Sequence, residues 1–351
     1  MPPLMPPLTS SGQILRIFGT SRSFSTSTYV DVDDNDDVVD EAMTEIETAT
    51  DEDGGNFFTT QDACSCESCK AIRFEPNKLK ESVIHCWNYK PRRWIPKSVK
   101  DDHISYYMGV ELETVTTPEC RLWDTIAADM RRPKRFWVSK HDSSVSGPEF
   151  ASHPATMTWW HAHQREFAEM FKMLIHAGYR SHEGAKAGMH VNISRTAFTS
   201  WRHYSRFLSM IYGYPLWSVV MSQRDTESVR DWCRVENMRP HDWESVAYEL
   251  FTPYSTYYTD KYVAVNAPRY EGRFEFRLPR GTLRLDRFFK NLEWTFGMIE
   301  FTRNLGGTES SPHEFMDWVQ DTKDGYKNLI QFLNEKKDIL SLHADTKGER
   351  L

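Results

Sequence analysis

The sequence predicts a mixed helix-and-strand body in which a sheet, apolar on one face and charged on the other, is backed by helices. Three observations predict it. Segments of side-chain period two recur between residues 105 and 280, each with apolar residues on one side and ionisable residues on the other. Between and after them run segments whose apolar residues are spaced by three, four and seven. Twelve Trp, fifteen Tyr and twenty Phe among 351 residues supply enough apolar surface for a large core. That length suits one catalytic domain with tails or two domains.

Three stretches precede this body. Residues 1–28 hold Arg16 and Arg22, many Ser and Thr, and no acid, as organelle transit peptides do. Pro2, Pro3, Pro6 and Pro7 would break an amphipathic presequence helix, so a plain tail is the preferred reading and organellar import the alternative. Asp31 to Asp53 holds twelve of the fifty acids and no Lys or Arg, the composition of a solvated linker. It also explains the formal charge of −7: set against 43 Lys and Arg, the rest of the chain is mildly basic. A mild excess suits an anionic substrate or nucleotide and is too weak to argue for a nucleic-acid groove. Residues 57–103 carry the third stretch. Its Cys64, Cys66 and Cys69, with His85 and Cys86 beyond, could close a small zinc knuckle. The spacing is irregular and a pair of C-x-x-C units is absent, so a degenerate remnant or reduced thiols stay equally open; Cys120 and Cys233 read as packing residues. No apolar run approaches the roughly 20 residues of a membrane-spanning helix, and a soluble, cytoplasmic protein is expected.

From residue 105 the periodicity places the elements. Val110 and Leu112 alternate with Glu111 and Glu113, residues 135–141 alternate again, and Glu149 to His153 gives a short third strand. A helix is expected over about 156–177, where Trp160, Phe167, Met170, Phe171 and Leu174 share a face, stopped by Gly178. A strand follows over 188–194, with Met189, Val191 and Ile193 opposite His190 and Asn192. Helical pattern fills 199–223 in two pieces broken near Gly213 and Pro215. Residues 225–260 are less periodic. Strand character returns over 262–266 and 272–278, where Phe274, Phe276 and Leu278 oppose Arg273, Glu275 and Arg277. A helix is expected over about 286–304. Ser311, Pro312 and Glu314 then read as N-cap, first-turn Pro and capping-box acid, opening a C-terminal helical pair.

Four strands thus present ionisable groups opposite their apolar side chains: Glu111 with Glu113, Glu149, His190 with Asn192, and Glu275 with Arg277. Any single pair reads more simply as the solvated face of a half-exposed sheet. Together, four carboxylates on one surface repel one another unless cations neutralise them, which predicts a cation site. Carboxylates with one imidazole favour Mg²⁺ or Mn²⁺ over zinc, and such ions bridge protein carboxylates to nucleotide phosphates. No P-loop, Rossmann glycine turn or nucleophile elbow occurs.

The order of these blocks resembles a known family. Gly109-Val110-Glu111-Leu112-Glu113, then His141-Asp142-Ser143-Ser144 leading to Pro148-Glu149-Phe150-Ala151-Ser152-His153-Pro154, are similar to the first two blocks of the amidoligases of phages, bacteria and fungi. Gly188-Met189-His190-Val191-Asn192-Ile193-Ser194 resembles the third, and Tyr262 to Asn266 with Arg273-Phe274-Glu275-Phe276-Arg277-Leu278-Pro279-Arg280-Gly281 the fourth. The likeness covers about residues 104–305, leaving 1–56 as tail and 306–351 as C-terminal helices. That family belongs with glutamine synthetase and γ-glutamyl-cysteine ligase. The resemblance implies an α+β fold with a curved, mainly antiparallel sheet. It implies an ATP- and Mg²⁺-dependent reaction in which a carboxylate is phosphorylated and an amine then displaces phosphate, forming an amide or isopeptide bond.

The resemblance also assigns roles. It maps metal-binding carboxylates onto Glu111, Glu113, Glu149 and Glu275, and a metal- or phosphate-contacting imidazole onto His190. Arg277 falls where an arginine meets the substrate carboxylate or transferred phosphoryl group, and Arg280 and Arg224 are further anion contacts. Two positions depart from the pattern. Asn192 stands where the family has a second His, and it cannot carry a proton or charge. Ser143 stands where the family has Gly. Two other readings stay open: a phosphotransferase of related fold, and a catalytically weak binding or virion-associated protein that keeps the scaffold.

Overall fold

Alternation of Met108, Val110 and Leu112 with Gly109, Glu111 and Glu113 produces the first strand, β1 (Met108–Glu113). The computed structural model describes residues 106–117, 136–181, 187–235, 242–251, 261–268, 272–303, 310–349 and 351. The tail, the acidic run and the Cys64, Cys66 and Cys69 segment with its zinc expectation lie outside the described residues. After β1 come β2 (Val115–Thr116), β3 (Trp137–His141) and β4 (Pro148–Ser152). Two helices follow, α1 (Met157–Ala162) and α2 (Gln164–His176), where one continuous helix is expected from periodicity. The break is at His163, whose Nδ1 reaches back to the Trp159 carbonyl at 2.8 Å while its ring stacks on Trp159. Local side-chain bonding of this kind competes with the helical ladder. Gly178, at φ 89°, turns the chain out of α2.

Next in order are β5 (Tyr179–Arg180), β6 (Met189–Ser194), α3 (Trp201–Tyr212) and α4 (Pro215–Ser222). The weakly periodic residues after 225 hold two short helices, α5 (Thr226–Trp232) and α6 (Asp242–Phe251). Asp225 caps α5, accepting from the Ser228 amide at 2.6 Å. Then come β7 (Val265–Asn266), β8 (Arg273–Phe276) and the 19-residue α7 (Leu285–Arg303). Three C-terminal helices follow where a pair is expected: α8 (Pro312–Thr322), α9 (Lys327–Glu335) and α10 (Lys337–Ala344). The expected capping box opens α8, with Ser311 and Glu314 exchanging side-chain and backbone bonds.

The molecule is an α+β protein. Six strands form one sheet in the order β3-β4-β1-β6-β8-β7, and every neighbouring pair is antiparallel. Register puts Val110 opposite Val191, Leu112 opposite Met189 and Phe150, and Phe276 opposite Val191 and Val265. This face is therefore mostly hydrocarbon, with Ser139 and Ser152 among its polar residues on β3 and β4. Helix α7 lies against it: Trp294 meets Phe276 edge-on at 5.0 Å, and Phe288 approaches Trp137 and Trp160. Tyr204 of α3 stacks on Phe274 at 4.1 Å. Each such fully buried aromatic contributes about 1.5–3 kcal/mol, which fixes the register and hence every side chain on the opposite face. Among the described residues no helix is long and apolar enough to cross a membrane.

Candidate functional site

Because side chains alternate along a strand, burying Val110, Leu112, Val191 and Phe276 forces their neighbours onto the far side of the sheet. The register brings Glu111 opposite His190, Glu113 opposite Glu149, Asn192 opposite Glu275, and Glu275 opposite Asn266. The expected carboxylates, the imidazole and Arg277 therefore share one face of one sheet.

His190 is the hub. Its Nδ1 lies 3.4 Å from Glu111 and 3.3 Å from Glu275, and its Nε2 lies 3.6 Å from Glu113. Asn192 donates through Nδ2 to Glu111 at 3.0 Å. Glu275 accepts from Arg277 at 2.6 Å and from Asn266 at 2.8 Å. Glu113 accepts from the Gly188 amide at 2.6 Å. Gly188 has no room for a side chain, since a β-carbon there would collide with Arg224 and lie 3.1 Å from His190 Nε2. Arg224 is thus drawn to the His190 end of the cluster, although its own bonds go to the Leu278 carbonyl and the Ser228 hydroxyl. Arg280 is half-buried beside Gly188, and its guanidinium has no ion-pair partner among the described residues.

The charged face that the sequence predicts is largely buried. Glu113, Glu149, His190 and Glu275 are each less than one-tenth exposed. Nor do the carboxylates depend on an outside cation for neutralisation. Lys140, directly opposite Glu149, bonds it at 3.1 Å, and Arg273 lies 3.7 Å from Glu111. Lys140 is a site residue that sequence reasoning misses. Its signal was present: in the alternating residues 135–141, Lys140 falls on the side opposite Trp137 and Ser139, both buried. Arg273 shares the polar face in the sequence pattern, but its partner is on a strand distant in sequence.

These contacts set the ionisation states. Burial would push the Glu111 carboxyl up, but the His190 hydrogen bond and the Arg273 charge hold it well below the usual carboxylate range. The same opposition leaves Glu275 at about 2, with His190 and Arg277 outweighing burial. Burial and Arg277 disfavour a charged His190, yet Glu113, Glu111 and Glu275 outweigh them and raise it to about 9. Glu149 goes the other way. Burial and the Glu111 charge push it up to about 7 against the pull of Lys140.

Glu111, His190 and Glu275 form a set whose ligand atoms all lie within 4.8 Å of one another. Two carboxylates and one imidazole are a hard, oxygen-rich donor set. Asn192 donates to Glu111 through Nδ2, and its buried Oδ1 has no donor among the described residues. The residues present fit a divalent cation once His190 gives up its proton, since only a neutral imidazole ligates a metal.

Fold and site together define a class: an α+β protein with an antiparallel sheet whose polar face carries a buried carboxylate, imidazole and guanidinium network. No protein-family model matches the chain, and no curated protein matches its sequence.

Proposed function

We propose that this face carries an ATP- and Mg²⁺-dependent carboxylate–amine ligase activity of the glutamine synthetase-like, amidoligase type. The observation that carries the reading is convergence: Glu111, His190 and Glu275 come from three different strands to within 4.8 Å of one another, with Arg277 bonded to Glu275. These residues are among those to which the sequence resemblance gives metal, phosphate and substrate roles.

Glu111, Glu275 and, once deprotonated, His190 would hold the cation, with Asn192 bonded to Glu111. A bound divalent ion supplies charge neutralisation for phosphoryl transfer from ATP to a carboxylate. Arg277, pinned by Glu275, presents a planar fork suited to a carboxylate or phosphoryl oxygen pair. Asn192 orients Glu111 but cannot accept or deliver a proton. Glu149, poised at about 7, is able to take a proton from the substrate's ammonium near neutral pH, leaving the free amine to attack. No protein nucleophile is required.

The test is ATP turnover with Mg²⁺, screened against amino acids, polyamines and peptides. Release of ADP and phosphate that depends on both a carboxylate and an amine is the expected result. A phosphorylated product without an amide would instead identify a phosphotransferase. One observation favours a different reading: all four carboxylates have a Lys, Arg or His partner within 3.6 Å. A network closed on itself suits a binding protein that retains the scaffold, and failure to bind Mg²⁺-ATP would favour that reading.

A further inference from the structure

The polar face is not uniformly buried, and the pattern of exposure selects residues that the ligase reading leaves unassigned. Glu113, Glu149, His190 and Glu275 lie beneath, while Val138, Lys140, Glu111, Ala151, Asn192, Arg273 and Arg277 are half-exposed. The only carboxylate among the half-exposed residues is Glu111, whose side chain is 17 % exposed. It is flanked on both sides by cations. Lys140 stands on β3; Arg273 stands four strands away on β8, and Arg277 directly follows β8. At about 4.8 Å per strand, the cations at the two ends of the face are separated by roughly 19 Å at the backbone.

We propose that Lys140 is a substrate contact of this site, binding the phosphate chain of a nucleoside triphosphate at the β3 end of the face, opposite Arg277. The inference rests on the ligase reading and deepens it. Lys140 is held by Glu149 at 3.1 Å and its side chain keeps 18 % exposure, so the ammonium is oriented yet reachable. An ammonium is a compact point charge suited to a phosphate oxygen, whereas the planar guanidinium of Arg277 suits a paired oxyanion such as a carboxylate. Lys140 therefore adds a phosphate contact at the β3 side of Glu111 to the carboxylate or phosphoryl contact that Arg277 offers. The rival role for Lys140 is structural: it neutralises Glu149 and touches nothing else.

Titration calorimetry of the full chain with Mg²⁺ alone and with Mg²⁺-ATP separates these, using the parent, Lys140→Met, Glu149→Gln and the double variant, each checked by near-ultraviolet circular dichroism. Contact with phosphate predicts that Lys140→Met weakens Mg²⁺-ATP by about tenfold or more, the loss of one charge-assisted bond. The same variant should bind Mg²⁺ alone as well as the parent or better, because a positive charge near Glu111 has gone. The loss of ATP affinity should persist when Glu149→Gln is the background. The proposal is overturned if Lys140→Met binds Mg²⁺-ATP within twofold of the parent, or if the double variant binds it as Glu149→Gln does; either leaves the ligase reading standing. A Lys140→Met protein that does not fold leaves the comparison of the double variant with Glu149→Gln to decide. If the parent itself binds Mg²⁺ but no Mg²⁺-ATP, the ligase reading falls and this inference with it.

Discussion

Glu275 illustrates how strongly a single register decides a side chain's chemistry. Read from residues 272–278 alone, it is one of three alternating charges, and a surface pair of that kind contributes about 0–1 kcal/mol. In the sheet it is buried between Arg277, Asn266 and His190. Breaking a buried pair costs about 3–5 kcal/mol. Glu275→Gln is therefore expected to abolish Mg²⁺-dependent ATP turnover and to lower the urea midpoint, whereas a solvated surface Glu would change neither. Arg277→Lys keeps the charge but not the fork; it should spare Mg²⁺ binding and reduce turnover by about tenfold or more, measured as kcat/KM. His203 supplies a pH test away from the site. Its Nε2 bonds the Ile299 carbonyl at 2.9 Å and its Nδ1 accepts from the Thr199 amide, which requires a neutral ring. Burial lowers it to about 4. The unfolded chain takes up that proton near pH 6.5 and the folded chain only near 4, so stability is lost as pH falls across that window. His203→Gln should flatten the denaturation free energy between pH 6.5 and 4 by at most about 1.4 kcal/mol per pH unit; an unchanged slope would mean that the ring is not held neutral.

Elements with local signals were legible, and those set by distant partners were not. The start of α8 is local: Ser311, Pro312 and Glu314 specify a cap within four residues, and Ser311→Ala should cost about 1 kcal/mol in urea denaturation. The start of α9 is different. No capping side chain precedes it; the acid that accepts from its first turn is Glu293 of α7. Glu293 is fully buried and accepts from the Leu329 amide and from Asn328 Nδ2, each at 2.7 Å, with His161 at 3.2 Å on the same carboxylate. A carboxylate at a helix N-terminus is favourable electrostatically. Glu293→Ala should destabilise by about 2–3 kcal/mol, more than Ser311→Ala, because it strands buried donors. Equal losses in the two variants would show that α9 does not depend on this bridge. The short α5 and α6 escaped notice because seven to ten residues leave too few turns for a period to emerge.

At the scale of the whole molecule, the composition of the run from Asp31 to Asp53, twelve acids with no Lys or Arg, gives the linker expectation a direct test. Removing residues 1–57 should shift the melting temperature by under about 2 °C, well within a 1 kcal/mol change for a body of this size. A larger drop, followed by calorimetry, would mean that the segment packs on the body. The sequence by itself determined the mixture of helices and strands and which residues oppose the apolar side of each strand, because alternation at period two is a property of a single strand. It also determined that four carboxylates, an imidazole and a guanidinium fall on such sides. Only the tertiary structure decided which strands are neighbours, that Lys140 and Arg273 neutralise Glu149 and Glu111, and that Glu149 rises to about 7 while Glu275 falls to about 2. The reason is physical: pairing between β4, β1, β6 and β8 joins residues tens of positions apart, and a carboxylate's ionisation depends on the burial and charges that this pairing creates.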